Sequence, residues 1–193
     1  MKLPIIAMLS SLAALAACNQ GPEVDAKNAS VEEVAAKVRE ATGDGQFIRA
    51  GEWKSTSAIE EMTVPGLSAE DNARMKQVMA KSGIHEFTTC LTEEDVKQPE
   101  GKFFTGNDQC RYDHFTMSRG KIDAAMRCQS GGGGAQVMKM SGTYAPDNYQ
   151  MRMEMKGEGM PGATGAAGAM IMRMRVDSKR IGDCSAADAK AAG

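Results

Sequence analysis

The sequence predicts a mainly β domain of the α+β class, with two helices beside an antiparallel meander sheet that forms an open barrel or a sandwich. Three observations predict it. Apolar residues recur with period two along much of the chain from Gly51 to Cys184. Turn dipeptides and glycine-rich stretches separate those runs, so the strands follow one another in series. Only two segments carry a helical period together with start and stop signals. Strands in series joined by turns favour antiparallel pairing, with the helices packed near the sheet's edge.

The first helix is predicted over residues 30 to 41. In "ASVEEVAAKVREATG", Ser30 and Glu33 stand in a capping-box relation, good helix formers follow, and Gly43 is a stop. "LSAEDNARMKQVMAKSG" repeats the logic over 69 to 81, with Ser68 and Asp71 at its start and Gly83 at its end. Its Met75, Val78 and Met79 fall at helical spacing and read as core contacts of a docked helix. "TEEDVK" allows one further short turn of helix.

The strands begin at "GEWKSTSAI", which puts Trp53, Ser55, Ser57 and Ile59 on one side, and "IHEFTTCL" is a second extended stretch. From Cys110 the chain reads as hairpins. A two-residue turn at Arg119-Gly120 places Met117 opposite Ile122 and Phe115 opposite Ala124, so both apolar sets share a face. "QSGGGGA" reads as a flexible hairpin loop and "GEGMPGATGAAGA" as a longer one. Between them, "AQVMKMSGTY" and "YQMRMEMK" meet at the turn "APDN", and "MIMRMRVDSKRIGDC" supplies the last strand.

The N-terminus carries Lys2, then an apolar run from Leu3 to Ala17, too short for the roughly 20 residues of a spanning helix. It reads as a signal peptide over 1–17. Leu15-Ala16-Ala17-Cys18 resembles the bacterial lipobox, in which the cysteine becomes the acylated first residue of the mature chain. Stable anchoring takes more than one lipid chain, which a multiply acylated Cys18 would supply. The plainer alternative is an ordinary secreted protein cleaved nearby. Asn19 in place of Asp, by resemblance to bacterial sorting behaviour, favours the periplasmic face of the outer membrane. Residues 18–29 then form a lipidated N-terminus and polar tether, 30–185 a single domain, and 186–193 a flexible tail.

Four cysteines remain: Cys90, Cys110, Cys128 and Cys184. An even number in an exported chain points to two disulfides, and none has Cys-x-x-Cys spacing. The hairpin register sets Arg111 opposite Cys128 and leaves Cys110 on the other face. Disulfide geometry therefore disfavours Cys110 with Cys128. The expected pairs are Cys90 with Cys110 and Cys128 with Cys184.

The order of these features resembles a known family. A lipoprotein leader, "GEW", "CLTEED", "NDQCRYDHF", "MSGTY" after a glycine-rich loop, and "RIGDC" are similar to the bacterial domain of unknown function 3617 family. The resemblance implies a small exported domain containing cysteines. It carries over no activity residue by residue, and the methionine density departs from it.

An enzyme would need a recognisable constellation, and none is found. His85 and His114 are the two histidines. His114 follows Asp113, but strand neighbours point to opposite faces, so the two do not form a local dyad. There is no G-x-S-x-G, no H-E-x-x-H, and the glycine run at 131–134 lacks the Lys-Ser/Thr of a phosphate loop. The carboxylates of "TEEDVK" and "VEEV" suit solvated helix starts. The formal charge of −2, without a basic run or interleaved aromatics, argues against nucleic acid.

The methionines are the remaining signal. Nine of the sixteen lie between 138 and 174. As a helix, Met151, Met153 and Met155 would sit at about 0, 200 and 40 degrees, with no coherent face. As a strand they form one apolar face, with Arg152, Glu154 and Lys156 on the other. If Tyr144 lies opposite Tyr149, Met140 meets Met153 and Met138 meets Met155, and Met170, Met172 and Met174 extend the patch. Two readings compete. Thioethers suit Cu(I), so the patch is a candidate metal face. Methionine also fills cores and adapts to apolar partners, and a chain only 5% aromatic needs such bulk. Core is favoured, since no cysteine or histidine joins the patch. The expectation is a non-enzymatic lipoprotein without cofactor, anchored to a membrane and contacting an apolar ligand or envelope protein. The alternative is a Cu(I)-binding protein.

Overall fold

Alternation along each strand and the turns between them build one sheet. The computed structural model describes residues 21–43, 47–82, 84–97, 108–129, 134–158 and 170–185. The expected leader with Cys18, most of both glycine-rich loops and the tail 186–193 lie outside the described residues. The strands are β1 (Val24–Ser30), β2 (Gly51–Thr63), β3 (Ile84–Leu91), β4 (Cys110–Ser118), β5 (Lys121–Gln129), β6 (Ala135–Ala145), β7 (Asn148–Glu158) and β8 (Ile171–Gly182). Every pairing is antiparallel, in the order β1-β4-β5-β6-β7-β8-β2-β3. The sheet is not closed, and β1 and β3 are its edges. Residues from both ends of that order, Val24 and Phe115 on one side, Trp53 and Leu91 on the other, share one buried cluster. The sheet therefore curls about a single core.

Three helices accompany it: α1 (Val31–Thr42), α2 (Ala69–Ser82) and α3 (Glu93–Lys97). Ser30 caps α1 reciprocally, with Glu33 N–H donating to Ser30 Oγ at 3.0 Å and Ser30 N–H to Glu33 Oε2 at 2.6 Å. Gly43, at φ 54°, ends the helix and donates to the Arg39 carbonyl. Ser68 caps α2 through the Asp71 N–H at 3.0 Å, and Thr92 and Asp95 cap α3 in the same way. α1 packs on β1 and β4 and sinks Val34 and Val38 completely. Each such side chain contributes about 1.5–3 kcal/mol by burial.

The expected turns hold. Met117 pairs with Ile122 and Phe115 with Ala124 across Arg119 and Gly120, both in left-handed conformation at φ 51° and 72°. Tyr144 pairs with Tyr149, Met140 with Met153 and Met138 with Met155.

Four expectations are corrected. The tether of 18–29 is too long, because Val24–Ser30 is strand β1 and Val24, Ala26 and Ala29 are buried against α1 and β4. The disulfides are Cys90–Cys184 and Cys110–Cys128, with Cα separations of 5.5 and 4.0 Å. The cause is a bulge in β4: the register shifts between Tyr112 and His114, which brings Cys110 opposite Cys128. That same extra residue leaves Asp113 and His114 both off the core face, so they do not point oppositely as simple alternation requires. Finally, α2 lies on β2 and β3 at the sheet's end, where Val78 is 60% exposed and Met75 half-buried. The Met79 side chain lies outside what is described.

Candidate functional site

The candidate site is the core face of β5 to β8, where register places side chains in ranks across the sheet. One rank runs Met126, Met138, Met155, Met172 and Met62, from β5 to β2. The next runs Ala124, Met140, Met153, Met174 and Ile59. The third holds Ile122, Gly142, Met151 and Val176. Gly142 is needed there, because a Cβ would come within 2.5 Å of the Met151 sulfur and closer still to the Gln150 carbonyl. The fourth holds Tyr144, Tyr149, Ser178 and Ser55, whose two serine hydroxyls bond each other at 2.7 Å inside the core. That pairing satisfies both buried hydroxyls.

Members of these ranks from β5 to β7 line an apolar cavity of about 250 Å³ that is partly open to solvent. Tyr112, Phe115 and Met126 line it from the β4–β5 side, and Met138, Met140, Met151 and Met153 from β6 and β7. Phe47 and Ile48, between α1 and β2, close another side, with Phe47 set edge-on to Tyr144 at 4.9 Å. Trp53 stacks at a tilt, 5.7 Å from Tyr149, and donates its indole N–H to the Arg49 carbonyl at 3.0 Å. Among the described residues no charged side chain lines the cavity. Burial pushes the Tyr112 phenol up to about 12 and raises that of Tyr144, so neither ionises near neutral pH.

The charges that alternate with the methionines face the other way. Arg173 bridges Glu154, at 2.7 Å, and Glu61 across three strands. The Arg173 hydrogen bond holds the Glu154 carboxyl below its usual range. Exposed pairs of this kind are screened by solvent and stabilise little, so they organise the outer face rather than hold the fold.

The structure brings Met138, Met140, Met151 and Met153 together around the cavity. Met155 and Met172 continue the rank of Met138, Met174 continues that of Met140 and Met153, and Met170 sits just before β8, its carbonyl accepting from Gly157 N–H at 3.1 Å. All eight are half-buried, neither sealed in the core nor open to water. Among the described residues no three or more of His, Cys, Asp and Glu group as metal ligands, and all four described cysteines are in disulfides. Sequence reasoning missed the aromatic rim of Phe47 and Tyr112, and the outward pair His114 Nε2 to Asp123 at 2.7 Å. The signal for the bulge behind that pair is present: inward residues fall at 110, 112, 115 and 117, with one interval of three.

A single curled antiparallel sheet, disulfide-linked at two places and holding an apolar cavity on its core face, defines the class. The chain belongs to the family described as "Protein of unknown function (DUF3617)", whose match spans residues 48–184, from just before β2 to the cysteine after β8. No curated protein and no solved structure matches the chain significantly.

Proposed function

We propose that this protein is an exported lipoprotein, carried by acylated Cys18 on the periplasmic face of the outer membrane, that binds an apolar ligand without catalysing a reaction. The cavity of about 250 Å³ is the observation that carries the binding reading. A dry cavity of about 150 Å³ already accepts benzene, so this one has room for a larger hydrocarbon group. Its methionines are flexible and polarisable, which suits ligands of varied shape. Paired cysteines fit an oxidising compartment, and the lipobox supports the anchor.

The test uses soluble Cys18→Ser protein and the neutral dye N-phenyl-1-naphthylamine. Bright, saturable dye emission that Met140→Glu abolishes is the expected result; a dark dye ends the apolar-ligand reading. The five-methionine rank favours Cu(I) as a second reading. Titration with Cu(I) against a competing chelator, with binding no tighter than that of a methionine-containing control, removes it. Globomycin treatment checks the anchor, since a lipidated precursor must accumulate.

A further inference from the structure

We propose that the ligand is a single acyl chain of a membrane lipid, drawn into the cavity from the bilayer that holds Cys18. This rests on the apolar-ligand reading and on acylation of Cys18, and it follows from where the N-terminal segment leaves the sheet. Val24 is the first residue of β1, so the leash to the membrane is far shorter than a tether of 18–29. Tyr144 Oη donates to the Pro22 carbonyl at 3.4 Å, and Ser118 Oγ to Glu23 Oε1 at 3.0 Å. Tyr144 also lines the cavity, so the chain departs beside the cavity's own rim.

Cys18 stands four residues before Pro22, and four residues reach at most about 14 Å when fully extended. The cavity is therefore held at the bilayer surface for as long as the anchor is. A ligand in that bilayer meets it at the high effective concentration that a short linker imposes, whereas a ligand dissolved in water does not share that advantage. The cavity's chemistry agrees with the occupant. No described residue of its wall is charged, so it takes hydrocarbon and leaves the polar headgroup outside. Flexible thioethers accommodate chains that differ in length and unsaturation.

Trp53 is the single tryptophan, is buried, and lies 5.7 Å from the ring of Tyr149 on the cavity wall, which makes it a built-in reporter. Full-length lipidated protein is reconstituted into phosphatidylethanolamine–phosphatidylglycerol vesicles whose acyl chains are brominated or not. Brominated chains are expected to remove most of the Trp53 emission, because bromine quenches on contact. Met153→Arg, and Ala124→Leu as an uncharged variant that fills the cavity, should restore it while flotation shows the protein still bound. The Cys18→Ser protein, mixed with the same vesicles, should lose most of the quenching. Equal emission from the two vesicle types, with the protein floating, overturns the proposal. In that case continued dye binding by soluble protein leaves the apolar-cavity reading standing, and a dark dye removes both. Equal quenching of anchored and Cys18→Ser protein overturns delivery by the leash.

Discussion

The two halves of the sheet obey the same alternation and end in different states. On the β1–β4–β5 side, α1 lies over the core face, and Val34, Val38, Phe115 and Met117 are almost wholly removed from water. On the β6–β7–β8 side, no described helix packs on that face, and its methionines stay half-buried around a cavity. There valines, Phe115 and one methionine, Met117, fill a space whose shape a helix has set. Methionine lines the space that no rigid element defines, where adaptability matters more than interlocking. The difference teaches that a period-two pattern specifies which face is apolar, while what lies across from that face specifies whether it closes.

The largest expected effect comes from the disulfides, one in each region. Cys90–Cys184 spans 94 residues and ties β3 to the end of β8, whereas Cys110–Cys128 spans 18 within one hairpin. Chain entropy predicts that replacing the first pair by serine costs about 4–5 kcal/mol and the second about 3. Urea unfolding of the two double variants checks the order, and a reversed order would show that the closed half depends on its rivet more than on α1.

Core truncation should separate the halves next. Met117→Ala is expected to cost about 2–5 kcal/mol, as for a fully buried methionine away from the cavity. Met140→Ala, at a half-buried site beside an existing cavity, should cost under about 2 kcal/mol. Similar losses in denaturant melts would break the comparison.

Alkaline pH should act through Tyr112, buried on the β4 side of the cavity. The folded Tyr112 phenol stands at about 12, against about 10 when unfolded. Since the unfolded chain releases this proton first, the contribution is complete below pH 10 and disappears as pH rises through 12. The two-unit gap corresponds to about 2–3 kcal/mol. Tyr112→Phe should flatten this part of the stability–pH curve. An unchanged alkaline slope would assign the loss to another group.

The smallest effects concern α1 itself. Ser30→Ala removes the α1 cap and should cost about 1 kcal/mol, with faster amide exchange in α1 than in α2. The Ser30 backbone hydrogen bond lowers the Glu33 pKa. That support is therefore complete above the ordinary Glu value and fades as pH falls through the folded one. Glu33→Gln should remove this acid dependence, and a slope identical to the parent's would detach Glu33 from it.

Much of this architecture was legible in the chain. Ser30 with Glu33, Arg119-Gly120 and "APDN" each act within a few residues, so local geometry alone determined α1's start and two hairpin registers. Opposed methionines followed once those turns were set. The disulfide pairs were misread because a single bulge at Asp113 reversed the facing of Cys110, and uniform alternation hides such an insertion even though the Tyr112–Phe115 spacing carries it. The strand Val24–Ser30 was read as tether because its apolar positions are alanines and one valine, too small to stand out until β4 and α1 pack on them.

By itself, the sequence determined the strand periods, helix caps, turn registers and the segregation of methionine from charge, because each depends on neighbours in the chain or directly across a turn. Only the tertiary structure decided that the sheet curls without closing, that Cys90 meets Cys184, and that the methionine face borders a cavity rather than a filled core. Those outcomes depend on how the sheet bends and what rests on it, which side chains far apart in sequence settle together.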